Sequence, residues 1–179
     1  MRAIAVAVLL LMQTARPEPP AGMPAGPGVY YRLNSGGWMS LKPAVVADMT
    51  AKGLELFVDT GGYTSLGAKG VFKGAKSAAR IPERRPVFYV RGTVSPDDAM
   101  VIRLDQKQSS RNFETSSADA TSGNKGGFKE KDISKTATVV FSDGSFSLAP
   151  ERELKAGEYL LVFGYADRGF DFGIDAEKK

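Results

Sequence analysis

The side chains able to do chemistry are few, because this 179-residue chain has neither histidine nor cysteine. That excludes a disulfide framework, a thiolate nucleophile, a Cys/His zinc site and any triad built on histidine. Carboxylates remain. Asp97 and Asp98 are adjacent in Ser95-Pro96-Asp97-Asp98, a type I turn signature, and adjacent side chains there diverge. Asp171 and Asp175 share a strand face with Gly173 between them, about 13 Å apart, too far for a retaining glycosidase pair and wide even for an inverting one. Asp167 and Asp171 lack the looped ligand spacing of a calcium site. Ser77 beside Lys76 supplies the residue types of a Ser–Lys hydrolase, without a spacing that marks an activated serine. Neither a G-x-S-x-G elbow nor a phosphate loop occurs. No cofactor and no metal are expected.

Binding chemistry has more to work with. Seven basic residues lie between Lys69 and Arg91 (Lys69, Lys73, Lys76, Arg80, Arg84, Arg85, Arg91) against one acid, Glu83. Lys73, Lys76 and Arg80 are spaced by three and four, with Arg84 and Arg85 following, so one anionic partner can face several of them. The plainer reading, a solvated face that keeps the chain soluble, ranks ahead of it. A nucleic acid is disfavoured, because only Phe72, Phe88 and Tyr89 interleave with the charges and the net charge is only +4. The single tryptophan, Trp38, alternates with Ser40 and Lys42 and falls on the face of Tyr30 and Arg32 across a hairpin. It reads either as an aromatic platform for a sugar ring or protein partner, or as core beneath a second layer.

The elements that must position these residues are mostly short strands. Period-two alternation recurs at residues 29–33, 38–42, 54–59, 86–93, 100–107, 137–141, 145–148, 158–165 and 170–175, punctuated by Gly, Pro, Asn and Asp. The 158–165 strand is expected to be the most buried, with Tyr159, Leu161 and Phe163 opposing Leu160 and Val162. One segment, residues 43–52, carries Pro at its start, Val45, Val46 and Met49 at helical spacing, and Gly53 past its end, which predicts a short helix. Residues 116–127 hold no aliphatic side chain larger than alanine and read as a long loop that is mobile or orders on a partner. The expected fold is a single antiparallel β-sandwich or sandwich-like barrel with one short helix.

Met1-Arg2, ten apolar residues and a proline-rich stretch have the layout of a secretory signal peptide. Ten residues span about 15 Å as a helix, half of a bilayer core. The expected organisation is a signal peptide over 1–15, a Pro-rich leader over 16–27 and a β-sandwich domain over 28–179, in a secreted or periplasmic protein with no transmembrane segment in the mature chain.

Four stretches support a resemblance. They are Gly74-Ala75-Lys76-Ser77-Ala78-Ala79-Arg80-Ile81 leading to Pro86-Val87-Phe88-Tyr89-Val90, Ser109-Ser110-Arg111, Leu154-Lys155-Ala156-Gly157-Glu158-Tyr159, and Phe170-Asp171-Phe172-Gly173-Ile174-Asp175. Over residues 70–175 the chain resembles uncharacterised secreted bacterial β-domain proteins with no established activity. The resemblance implies a compact secreted β domain and assigns no functional residue. The expected function is a non-catalytic interaction or structural module that docks on a protein or cell-envelope polymer, with self-assembly as one form. The alternatives are a polyanion- or carbohydrate-binding protein using residues 69–91 and, weaker, a carboxylate or Ser–Lys hydrolase.

Overall fold

Alternating apolar residues make strands here because each strand has a packed layer to face. The computed structural model describes residues 15–51, 56–57, 62–63, 68–116, 127–164 and 169–176. The apolar run at 1–14, most of the 116–127 loop, much of the 54–59 stretch and Asp167 lie outside the described residues.

In chain order, β1 (Gly28–Arg32) and β2 (Trp38–Leu41) form the first hairpin. β3 (Pro43–Ala44), β4 (Asp48–Ala51) and the short pair β5 (Leu56–Phe57) and β6 (Gly62–Tyr63) follow. The basic segment runs through β7 (Ala68–Lys73), β8 (Arg80–Ile81) and β9 (Phe88–Arg91). β10 (Ala99–Gln106) turns into β11 (Ser110–Ser116), and β12 (Gly127–Phe128) and β13 (Ile133–Ser134) flank a 3-10 turn at Glu130–Asp132. β14 (Thr136–Val140), β15 (Phe146–Pro150), β16 (Gly157–Phe163) and β17 (Gly169–Ile174) complete the order. The Pro96–Asp98 turn is a single 3-10 turn in which the Ser95 hydroxyl accepts from the Asp97 N–H.

The fold is mainly β, with two antiparallel sheets. A five-stranded sheet has the order β14-β15-β9-β1-β2, and a larger one, β3-β17-β16-β10-β11-β7-β4, curls into a half-barrel. Among the described residues only β8 joins it in parallel, alongside β17. One core fills the space between the sheets, with Val29, Tyr31, Phe88, Val90, Phe146 and Leu148 meeting Val101, Tyr159, Leu161, Phe172 and Ile174. A second core, of Phe72, Ile102, Leu104, Phe113, Phe128, Leu160 and Val162, fills the concave side of the curl. β16 therefore serves both cores, Tyr159 and Leu161 into one and Leu160 and Val162 into the other, as its alternation predicts.

The expected helix at 43–52 does not form, and no α-helix occurs among the described residues. Ala44 pairs with Gly169 in β17, and Asp48–Ala51 pairs with β7. Alternation decides it: Ala44 and Val46 pack on the inner core while Val45 is 82% exposed. Three apolar residues in a short window fit periods of two and 3.6 almost equally well, and free sheet edges on β17 and β7 settle the choice.

The Pro-rich leader lies on the outer face of the five-stranded sheet. The Ser142 N–H donates to the Pro17 carbonyl at 2.9 Å, and the Tyr30 hydroxyl to the Gly26 carbonyl at 2.8 Å. The Ser145 hydroxyl lies 4.0 Å from the Met23 sulfur. Gly22 sits beside the Trp38 indole nitrogen, so the strap crosses the face where Trp38, Tyr30 and Tyr89 emerge.

Candidate functional site

Residues from 73–80, β11, β16 and β17 meet at one ion network around a buried carboxylate. Glu158, at the start of β16, is 1% exposed at its side chain. One of its oxygens accepts from Arg80 Nη1 at 2.6 Å and the other from the Ser77 N–H at 2.7 Å. Arg111, in β11, pairs with Asp171 of β17 and donates at 3.1 Å to both the Gly74 and Lys73 carbonyls. The Ser77 hydroxyl donates to the Asp171 carbonyl at 2.9 Å, and Arg80 reaches out to Asp175 at 2.6 Å. Burial works against the charge on Arg80, but hydrogen bonds to Asp175 and Glu158 outweigh it and raise its pKa. A Cβ on Gly173 would collide with the Arg80 guanidinium, so the glycine between Asp171 and Asp175 is the floor on which the arginine lies. Asp171 on the acidic face of β17 is thus largely covered, at 18% side-chain exposure, whereas Asp175 stays at the solvent edge at 59%. Every carboxylate in this cluster is committed to an arginine, and Ser77 spends its hydroxyl on the backbone, so the arrangement is a clamp with no nucleophile or general base to spare.

The basic segment is dispersed by the same folding. Arg80 belongs to the clamp, and Arg85 donates through Nε to the Pro150 carbonyl at 2.9 Å. Arg84 is half-buried, and its carbonyl accepts from the Leu154 N–H at 2.7 Å. Lys73 and Lys76 remain exposed, the latter 4.0 Å from Asp175. Lys73 and Lys76 lie beside the clamp, whereas Arg84 and Arg85 lie at the 150–154 turn, so the structure does not gather the five into one patch. Trp38 shares its outer face with Tyr30 and Arg32, as its alternation predicts. It stands half-buried, edge-on to Tyr89 at 5.1 Å, with the Arg32 guanidinium 5.9 Å from the ring and the strap beside its nitrogen.

Two further features escaped the sequence. One is an edge. β14 closes the five-stranded sheet and pairs only with β15 among the described residues. It is uncharged from Thr136 to Val140 and contains no proline, and Val139 is 47% exposed. The hairpin bond from the Phe141 N–H to the Ser145 carbonyl and that from the Glu151 N–H to the Lys135 carbonyl fix the alternation of the ladder. Thr136, Thr138 and Val140 accordingly aim their backbone N–H and C=O away from β15.

The other is a wedge. The β10–β11 ladder holds only at Asp105 with Asn112 and Gln106 with Arg111, then the strands splay. β10 goes on to pair with β13 and β11 with β12, and the 3-10 turn at Glu130–Asp132 crosses the open end. The result is a polar groove of about 660 Å³ between strand backbones. Asn112, 6% exposed, lines this groove, and its side-chain oxygen is buried with no hydrogen-bond partner. Lys107 pairs with Asp105 at 2.9 Å and Lys129 with Glu114 at 2.5 Å, an interaction that raises the Lys129 pKa.

Comparison with known proteins adds no outside frame: no protein-family model, curated protein or solved structure matches this chain.

Proposed function

We propose that the protein is a non-catalytic interaction module of the periplasm or the cell exterior, and that its β14 edge docks a second copy of the same chain. The observation that carries this reading is the undefended edge. Natural sheets blunt their edges with inward charges, prolines or bulges, and β14 has none of these over its five residues. A strand aimed outward by Thr136, Thr138 and Val140 pairs antiparallel with its own twin about Thr138 and forms about six backbone hydrogen bonds. The same register sets Lys135 of one copy beside the 141–143 turn of the other, which carries Asp143, so the charges flanking the edge are complementary. The five-stranded sheet then continues across the axis as ten strands. The clamp supports the non-catalytic part, since it ties up Glu158, Asp171 and Asp175. The N-terminal layout read from the sequence supports the location.

The test is mass by light scattering at two concentrations and two salt levels. The expected result is a mass that rises from monomer to dimer with concentration and changes little with salt. Val139→Lys, on the exposed face of β14, places like charges together across the axis and is expected to hold the protein monomeric at the same concentration. A wild-type monomer at every concentration, or a Val139→Lys variant that dimerises as before, overturns the reading.

A further inference from the structure

We infer that the outer face of the five-stranded sheet is a docking surface for proline-rich segments of other chains, and that the strap is its tethered occupant. The surface is independent of edge pairing, because it uses side chains on a sheet face and not the free backbone of β14.

The face is a row of rings. Trp38 stands edge-on to Tyr89 at 5.1 Å, and Tyr89 stacks on Phe141 at 6.4 Å with the planes 13° apart. Tyr30 and Phe141 are buried, yet neither belongs to either core, so their cover lies on the strap side of the sheet. The strap carries five prolines in residues 17–27. Pro19, Pro20 and Pro24 are half-buried, while Pro17, Glu18 and Ala25 to Pro27 stay exposed.

Hydrogen bonding runs one way across this contact. The Tyr30 hydroxyl donates to the Gly26 carbonyl, the Ser142 N–H to the Pro17 carbonyl, and the Ser145 hydroxyl points at the Met23 sulfur. The Trp38 indole N–H, beside Gly22, adds a fourth donor that has no acceptor among the described residues. A surface that donates throughout fits a ligand that only accepts. Proline has a carbonyl and no N–H, and a polyproline II segment keeps its carbonyls free because it makes no internal hydrogen bonds. A strand brings as many N–H groups as carbonyls, and a helix has spent both on itself. Aromatic-lined grooves are the usual seat of proline-rich segments, whose preformed shape loses little entropy on docking.

The strap leaves part of this surface unused. It turns at Gly22, φ +72°, where the Met23 N–H closes onto the Pro20 carbonyl at 3.1 Å, and no strap carbonyl accepts from the indole. An incoming segment with a carbonyl opposite Trp38 makes one bond more than the strap does. Against it the strap has its tether, which supplies an effective concentration of the order of millimolar.

Titration of the full chain with peptides tests the assignment, read by the emission of Trp38, the sole tryptophan, and by calorimetry. The probes are decaproline, a peptide of residues 16–27, and that peptide with every proline replaced by alanine. The chain is used as it stands and with Pro19→Ser, Pro20→Ser and Pro24→Ser together, which loosens the strap and leaves the rings intact. Both proline-rich probes are expected to bind the loosened chain about tenfold more tightly than the parent, with Trp38 emission moving to shorter wavelength. The alanine peptide is expected to bind neither chain. Trp38→Phe in the loosened chain keeps a ring and removes the N–H; it is expected to weaken decaproline by up to about tenfold, the effect of one hydrogen bond. The parent alone also decides, since both proline-rich probes must displace its strap at millimolar concentration. Failure of both to bind either chain overturns the proposal. So does equal binding by the alanine peptide, which would mark a sticky apolar face, or binding of the strap peptide without decaproline, which would mark a strap fitted only to its own sheet. Equal affinity in parent and loosened chains would show that the strap does not occupy the surface, and overturns it too.

Discussion

Glu158 shows how much a single side chain settles in this molecule. It is buried at the junction of four chain segments and receives a guanidinium on one oxygen and a backbone N–H on the other. Removing one partner of such a pair strands the rest in a poor solvent. Glu158→Gln is therefore expected to destabilise the protein by about 3 kcal/mol, the lower end of the usual range because Arg80 keeps some contact with water. Urea unfolding reads this directly, and a loss below about 1 kcal/mol would show that Arg80 and Asp175 suffice. Gly173→Ala is expected to act through the same arginine. Its cost should shrink by about 1–3 kcal/mol in an Arg80→Ala background, where the guanidinium it displaces is gone. None of this was legible beforehand. Glu158, Asp171 and Arg80 look like ordinary surface charges in a row of strands, and the partners of the clamp lie 78 residues apart for Arg80 and Glu158 and 60 for Arg111 and Asp171. Periodicity says which residues share a face, not which faces another layer will cover.

At the scale of elements, alternation predicted most of the strands and their inner faces, including the double burial of β16. It failed at 43–52, where a two-residue strand, a link and an edge strand imitate a helical spacing. The turns were readable because their chemistry is local. Gly144 takes φ +82° at the tip of the β14–β15 hairpin, a conformation in which glycine carries no steric penalty. Next to it Asp143 accepts from the Ser145 hydroxyl and N–H and pairs with Arg91 at 2.7 Å, which together hold its carboxyl below the usual carboxylate range. A depressed folded-state pKa adds stability above the unfolded value of about 3.9, and that addition disappears as pH falls through the folded value. Asp143→Asn is expected to be less stable than the parent at neutral pH, with the difference closing as the pH is taken from about 4 downward. Urea midpoints across that window check it; a constant gap would assign the loss to the turn and not to the charge.

The whole molecule is two cores joined by a strand common to both, with a strap across the outer sheet. The strap was read from composition as a leader outside the domain, because its proline content gives no period, yet three anchors bind it. A chain beginning at Ala25 loses the Pro17 hydrogen bond, worth about 1 kcal/mol, along with the Met23 contact. For a protein of this size that corresponds to a fall of about 2–4 °C in Tm. Trp38, the sole tryptophan, loses its cover in the same step, so its emission is expected to shift to longer wavelength and become more open to acrylamide quenching. Unchanged fluorescence would show that Tyr89 alone shields the indole.

The neighbours in the five-stranded sheet set the timetable of folding. β1 from the start of the chain lies against β9, β9 against β15, and the strap leans on a hairpin tip more than 120 residues downstream. A chain delivered from its N-terminus therefore has no complete layer to form until β15, which ends at Pro150 of 179 residues, has emerged. Contacts so distant in sequence make for slow folding. The same topology means that β14, whose outer edge stays open in the finished sheet, joins that sheet only when β15 has arrived to hold it.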